Sequence, residues 1–153
     1  MPEVQRTFVM IKPDAVQRGL VGQVISRLEA KGLKLVGARF ILMDRSLAER
    51  LYEVHRGKPF YPGLVEFITS GPVLVSVWEG PDAVNVVRTL MGATDPLKAS
   101  PGTIRGDLGL NIGKNVIHGS DSPESAERET AIFFRPEDLV EYPRDVDRWL
   151  TES

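Results

Sequence analysis

The 153 residues predict an α/β (α+β) sandwich: a four-stranded antiparallel sheet in the order β-α-β-β-α-β, with a helical insert between strands 2 and 3 and a long loop before strand 4. Three observations carry this reading. Short apolar runs alternate along the chain with stretches whose apolar residues recur at helical spacing. The 14 Gly and 11 Pro punctuate these stretches without forming a low-complexity tract. Hydrophobic residues make up 42% and charged residues 26%, the composition of one globular domain with a substantial core, here taken as 1–153.

Arg6 to Ile11 is a short apolar run closed by Lys12-Pro13-Asp14 and reads as a buried first strand. Val21, Val24, Ile25 and Leu28 then share one helical face, and Gly32 supplies a C-terminal cap. Leu33 to Met43 is rich in β-branched and aromatic residues, which predicts the second strand. Ser46-Leu47-Ala48-Glu49 has the capping-box pattern, with Leu47, Leu51 and Val54 inward, and Gly57 and Pro59 end that helix. A second inserted helix is expected from about Pro62, with Leu64, Val65 and Ile68 inward, until Ser70-Gly71-Pro72 breaks it. Val73 to Trp78 is the third strand, and Gly80-Pro81-Asp82 opens a helix presenting Val84, Val87 and Met91.

From Gly92 to about Lys114 no period is sustained, and five glycines with Pro96 and Pro101 predict a long loop of the kind that usually carries function. Asn115 to His118 is a short extended piece, Ser122-Pro123 starts a short helix, and Thr130 to Phe134 is predicted as the fourth strand. A turn at Pro136 and an anchoring Trp149-Leu150 complete the chain. Without insert and loop this is the ferredoxin-like arrangement, a fold that hosts many functions, so activity has to be argued from the site.

Composition narrows the chemistry. Zero cysteines exclude disulfides, thiolate metal sites and a cysteine nucleophile. No apolar run nears the ~20 residues that span a bilayer, and Met1 to Arg6 lacks the features of a secretory signal, so a cytoplasmic chain with no membrane role is expected. A net charge of -2 disfavours nucleic acid as a primary ligand. The phosphate-binding G-x-x-x-x-G-K-[ST] and the protein-kinase motifs are absent, and Gly106-Asp107-Leu108-Gly109 misses the G-x-G-x-x-G spacing.

Only two histidines are present, His55 and His118. His118 ends an extended piece and meets Gly119-Ser120-Asp121-Ser122, small residues that permit close backbone approach. An imidazole with an ordinary pKa near ~6.5 is substantially neutral at pH 7 and can attack phosphorus without a separate base. Glu129 could orient the ring; a simple turn-capping role for His118 competes with this reading. Lys12, Arg88 and Arg105 could each meet a phosphate, and each could equally be a solvated surface charge. Phe60 and Tyr61 lie on a proline-flanked turn, where an exposed ring would stack on a base and a buried one would pack the core. A helix-end role suffices for His55.

Together, Ile11-Lys12-Pro13-Asp14, Gln17 to Gly22, Lys58 to Leu64, Ser70 to Val73, Pro101 to Asp107 and Asn115 to Ser122 resemble the nucleoside diphosphate kinase family at matched spacing, from about Arg6 to Tyr142. The resemblance implies transfer of the γ-phosphate of a nucleoside triphosphate, typically ATP, to a nucleoside diphosphate by a ping-pong route through a phosphohistidine. It implies His118 as nucleophile, supported by Ser120 and Glu129. Lys12, Tyr52, Arg88, Thr94 and Arg105 match phosphate contacts, Asn115 a contact to the ribose 3′-hydroxyl, and Phe60 the base-stacking ring. Asn115 and Lys12 at the sugar would permit modest discrimination between ribose and deoxyribose. Mg²⁺ is implied as cofactor, held mainly by the nucleotide phosphates, with no protein metal ligand set. A homo-oligomer, hexamer or tetramer, is implied, with the unmatched tail 143–153 expected in subunit contacts. Ala15 stands where many family members have glycine, a change that should leave Lys12 in place. Two competing readings are a catalytically silent nucleotide-sensing or protein-interaction member of the same fold, and a nucleic-acid-binding ferredoxin-like module.

Overall fold

The computed structural model describes residues 3–152. The first strand, β1 (Val4–Ile11), is buried from Thr7 onward, as its continuous apolar run requires of a central strand covered on both faces. After it come α1 (Pro13–Gln17), α2 (Val21–Lys31), β2 (Lys34–Ile41), α3 (Arg45–Leu51), α4 (Tyr61–Ile68), β3 (Val73–Pro81), α5 (Ala83–Met91), α6 (Ile104–Leu108), β4 (Ile117–Gly119), α7 (Pro123–Phe133) and α8 (Asp147–Leu150). The strands form one antiparallel sheet in the order β2-β3-β1-β4, the ferredoxin-like arrangement expected.

Side-chain alternation on the strands divides the core in two. Phe8, Met10, Val75 and Val77 face α3, α4 and α7, whereas Val9, Ile11, Trp78 and Ile117 face α2 and α5. The inserted helices thus join α7 in covering the face that α2 and α5 leave open. Trp78 is fully buried with its polar atom satisfied: its indole N–H donates to Ser76 Oγ at 2.9 Å, and Ser76 Oγ donates to the Val9 carbonyl at 2.9 Å.

Several local expectations hold. Gly32 caps α2 with φ +109°, a left-handed value that glycine adopts at little cost. Val84, Val87 and Met91 are the buried stripe of α5.

Others are corrected. Thr130 to Phe134 is not a strand: Thr130 to Phe133 complete α7, whose buried Ala126, Glu129 and Phe133 recur at helical spacing, and Ser122 caps it by accepting the Ser125 N–H at 3.1 Å. Five residues were too few to separate the two periods, and β-branching favoured the wrong one. The fourth strand is Ile117–Gly119, inside the short extended piece around His118. Helix α3 is capped by Asp44, which accepts the Leu47 N–H at 2.8 Å, not by Ser46. It ends at Leu51, and a 3-10 turn over Glu53–His55 leaves Val54 66% exposed, not inward. The Gly92 to Lys114 segment holds α6, started by Thr103, which accepts the Gly106 N–H at 3.0 Å. Pro13 does more than end β1: it also opens the short helix α1 at its first position.

The tail is anchored by polar groups. Val140 N–H donates to the Val36 carbonyl at 2.9 Å, Tyr142 Oη to the Leu35 carbonyl at 2.7 Å, and Arg144 to the carbonyls of Leu33 and Gly32 at 3.3 and 3.0 Å. Trp149 is 76% exposed rather than anchored, with the neighbouring Arg148 guanidinium 5.4 Å from its ring centroid, while Leu150 lines one concavity with Gly32.

Candidate active site

Strand β4 places His118 opposite Met10 of β1, and the alternation that sends Ile117 to the α2/α5 face turns His118 to the other, toward α7. There Glu129 Oε1 lies 2.8 Å from His118 Nε2 and accepts the Ser120 hydroxyl at 2.7 Å. Ser120 is itself fixed by its N–H, which donates to the Phe8 carbonyl at 3.1 Å. Glu129 is only 5% exposed, so its oxygen needs these donors. Because the carboxylate accepts, Nε2 carries the proton and the Nδ1 lone pair is left free. The ring is braced by Phe8 and Tyr52, with centroids 6.0 and 5.8 Å away at edge-on angles. Gly119 makes the placement possible: a Cβ there would lie 2.5 Å from Met91 Sδ of α5.

Below the histidine lies a buried cationic floor. Lys12, at the end of β1, is buried and donates to Asn115 Oδ1 at 2.7 Å. Asn115 in turn donates through Nδ2 to the Thr94 carbonyl at 3.0 Å. Arg105 of α6, also buried, donates Nε to the Asn115 carbonyl at 3.2 Å, Nη1 to the Gly92 carbonyl at 3.2 Å and Nη2 to the Ile117 carbonyl at 2.6 Å. One guanidinium therefore ties the start of the long loop, its end and the histidine strand together. Gly92, at φ +82°, turns the chain there, and a Cβ on it would lie 2.5 Å from Thr103 Oγ1.

Two cations brought together out of water resist their charge. Burial, then the Arg105 guanidinium, lowers the Lys12 ammonium to about 8, with Asp14 opposing the shift. Burial, then nearby Arg88, lowers Arg105 to about 10. Burial, then the Glu129 charge, raises the Tyr52 phenol, whose hydroxyl is buried without a hydrogen-bond partner. Such a floor is an anion site in its electrostatics: a multiply charged phosphate relieves the repulsion and offers acceptors to the donors.

The remaining predicted residues form a rim. Arg88 on α5 and Thr94 after it are exposed; Arg88 is felt electrostatically by Arg105 and Asp121, and Thr94 is tied in through its carbonyl. Phe60 is 53% exposed, which removes the core-packing alternative. Its ring lies 5.2 Å from that of His55, itself 6.1 Å from Tyr52, and Lys58 Nζ sits 5.8 Å from the Phe60 centroid. Burial, then the charges of Lys58 and His118, lowers His55. The structure thus links all ten predicted residues in one region, with Phe60 joined through His55 and Tyr52.

Sequence reasoning passed over Asp14, Val116 and Asp121. Asp121 lies close enough to influence both His55 and Arg88, and its carboxyl is held below the usual range first by the Ser125 hydroxyl. Its place in the His118 octet was the one available signal. Nothing in residue type marked Val116, whose φ is +77°. Concavities of about 650 and 450 Å³, beside Arg39 and Phe133 and beside Lys34 and Arg144, contain none of the predicted residues. The predicted residues lie outside both.

Comparison with known proteins agrees with this geometry. The family profile described as nucleoside diphosphate kinase matches residues 5–139. The nucleoside diphosphate kinase of Carboxydothermus hydrogenoformans is 58% identical over 149 residues, 97% of this chain and all of that one. That of Pyrococcus horikoshii is 60% identical, covering 96% of each. Among solved structures, a halophilic nucleoside diphosphate kinase from Halobacterium salinarum in complex with CDP superposes with a TM-score of 0.95 at 55% identity, covering 98% of this chain and 100% of that chain. These relatives are enzymes and support the catalytic reading over the silent one. With its sheet order, its buried cationic floor and this similarity along nearly the whole length, the chain belongs to the nucleoside diphosphate kinase family.

Proposed function

We propose that the chain transfers the γ-phosphate of a nucleoside triphosphate to a nucleoside diphosphate through a phosphohistidine on His118. The observation that carries this is the 2.8 Å contact from Glu129 Oε1 to His118 Nε2, which holds the proton on Nε2 and leaves Nδ1 as a nucleophile beside a cationic floor. In the first half-reaction the Nδ1 lone pair forms a bond to the γ-phosphorus. The bond from that phosphorus to its bridging oxygen breaks, and the diphosphate leaves with the electron pair. Positive charge developing on the ring is stabilised by Glu129, which Ser120 holds in place. The second half-reaction is the reverse with a different diphosphate. Phosphoryl transfer of this type rests on positioning and charge neutralisation, roles assigned to Lys12, Arg88 and Arg105, with Tyr52 and Thr94 as further phosphate contacts. Asn115 is assigned to the ribose 3′-hydroxyl and Phe60 to the base.

The same reading implies a divalent ion, Mg²⁺. It would be held mainly by the nucleotide phosphates, as hard oxygen ligands suit it. When bound it neutralises phosphate charge. The same reading makes the protein one domain over 1–153, a cytoplasmic homo-oligomer, hexamer or tetramer, with 143–153 in subunit contacts. Support for an assembly comes from the exposed Phe40 and Leu42 at the end of edge strand β2 and from the exposed Trp149.

The test is incubation with γ-labelled ATP without acceptor. The intact chain should form an acid-labile, base-stable phosphoenzyme that discharges onto added diphosphate, and His118→Ala should form none. A His118→Ala chain that still labels would overturn the assignment.

A further inference from the structure

We propose that Asp14 is a positioning residue for His118, acting through the backbone of Val116. The inference rests on His118 being the phosphoryl carrier. Val116 is fully buried and β-branched, yet its φ is +77°, a region in which such residues are genuine outliers. The Ile117 N–H donates to the Asn115 carbonyl at 2.8 Å across it, so Asn115-Val116-Ile117 is a γ-turn of the rare, strained hand. Strain of this kind persists only where surrounding structure over-determines it.

Both polar groups of the strained residue are held from the start of α1. The Lys12 N–H donates to the Val116 carbonyl at 2.9 Å, and Asp14 Oδ2 accepts the Val116 N–H at 3.1 Å. Lys12 contributes a backbone group, which any residue but proline could supply; Asp14 contributes a side chain. Asp14 lies in the first turn of α1, where an acidic side chain ordinarily serves its own helix. Here one oxygen reaches across 102 positions of sequence, and the other is buried without a partner.

What the clamp aims is the catalytic segment on both sides of the turn. Asn115 precedes it and meets Lys12. Ile117 follows, giving its carbonyl to Arg105, and His118 is next. If Val116 relaxed to negative φ, the peptide planes on either side would rotate. The Asn115 and Ile117 carbonyls would then leave Arg105, and the His118 ring would leave Glu129. Asp14 also lies near the Lys12 charge, so a role as counter-ion alone is the alternative to be separated.

The experiment measures the rate of phosphoenzyme formation from saturating γ-labelled ATP, the apparent KM, and thermal unfolding of each variant. Asp14→Asn keeps an oxygen acceptor but drops the charge, and its rate should stay within about threefold of the parent. Asp14→Ala drops both and should lose about 10- to 100-fold in rate with KM changed about threefold at most, the signature of a misaimed nucleophile. In a Val116→Gly background, where φ +77° carries no side-chain strain, the loss caused by Asp14→Ala should shrink several-fold. If the alanine variant does not fold, Asp14→Glu replaces it: the charge remains but the oxygen is displaced, and the rate must fall. An unchanged rate in folded Asp14→Ala or Asp14→Glu, or an equal loss in Asp14→Asn and Asp14→Ala, would overturn the proposal. A parent chain that forms no phosphoenzyme would instead overturn the assignment of His118.

Discussion

The floor and the rim of the site are built on opposite terms. Lys12, Arg105, Asn115, Ser120 and Glu129 are buried, and each side chain makes a hydrogen bond at or beside the ends of β1 and β4. Arg88, Thr94 and Phe60 are exposed to water at the site's edge. The floor has borne the cost of desolvating two cations and a carboxylate before any ligand arrives, which makes it stiff and strongly electrostatic. The rim bears no such cost. This division suits a ligand whose phosphates are constant and whose base varies: chemistry common to every nucleotide belongs on the sheet, and tolerance belongs at the water's edge.

The sharpest way to break this comparison is to remove one arginine from each region. Arg105→Ala should lose about 10²- to 10³-fold in kcat. It should also lose about 3 kcal/mol of stability, because the carbonyls of Gly92, Asn115 and Ile117 each lose a buried charged donor. Arg88→Ala removes an exposed side chain and should keep stability within about 0.5 kcal/mol while still losing activity. Urea unfolding of the two variants decides the matter, and equal destabilisation would mean that floor and rim are not distinct.

A weaker effect follows from the lowered Lys12 ammonium. Its folded-state value is about 8 against an ordinary 10.5, so the unfolded chain binds this proton more tightly. Lys12 therefore costs stability below about pH 8, and the cost is relieved as pH rises from about 8 to 10.5. On the phosphate role proposed for Lys12, activity should move the other way, since the neutral amine would no longer attract phosphate. In the floor, then, kcat/KM should fall above about pH 8 while Lys12's contribution to stability improves. Comparing pH profiles of the parent and Lys12→Met isolates the group; profiles that remain parallel in both quantities would contradict a buried, functional lysine.

How much of this was legible in the sequence follows the same division. The sheet, α2, α5 and the residues of both regions could be read, because helical and strand periods, glycine caps and matched family segments are local signals. Thr130 to Phe134 reads as a strand because it carries β-branched and aromatic types, yet it is helical because packing of Phe133 on Phe8 of β1, a tertiary contact, sets its burial. Asp14 and Val116 were illegible for a stronger reason. A hydrogen bond across 102 residues and a positive φ at valine leave no mark on composition or spacing.

The smallest expected effect lies wholly in the rim. Phe60 is half exposed, with His55 edge-on and the Lys58 ammonium near its ring, so its loss should leave folding untouched. A ring offering a face to a base contributes about 1 to 3 kcal/mol by stacking, and exposure to water argues for the lower end here. Phe60→Ala should therefore weaken nucleotide binding by about fivefold to tenfold, with kcat little changed once nucleotide saturates. Because every base has a π-face and stacking reads no hydrogen-bond pattern, the loss should be similar for purine and pyrimidine nucleotides. Titration with ADP, GDP, CDP and UDP tests this. A loss confined to one base would mean that the rim reads base identity, and a fall in kcat for all four would mean that the ring reaches the floor.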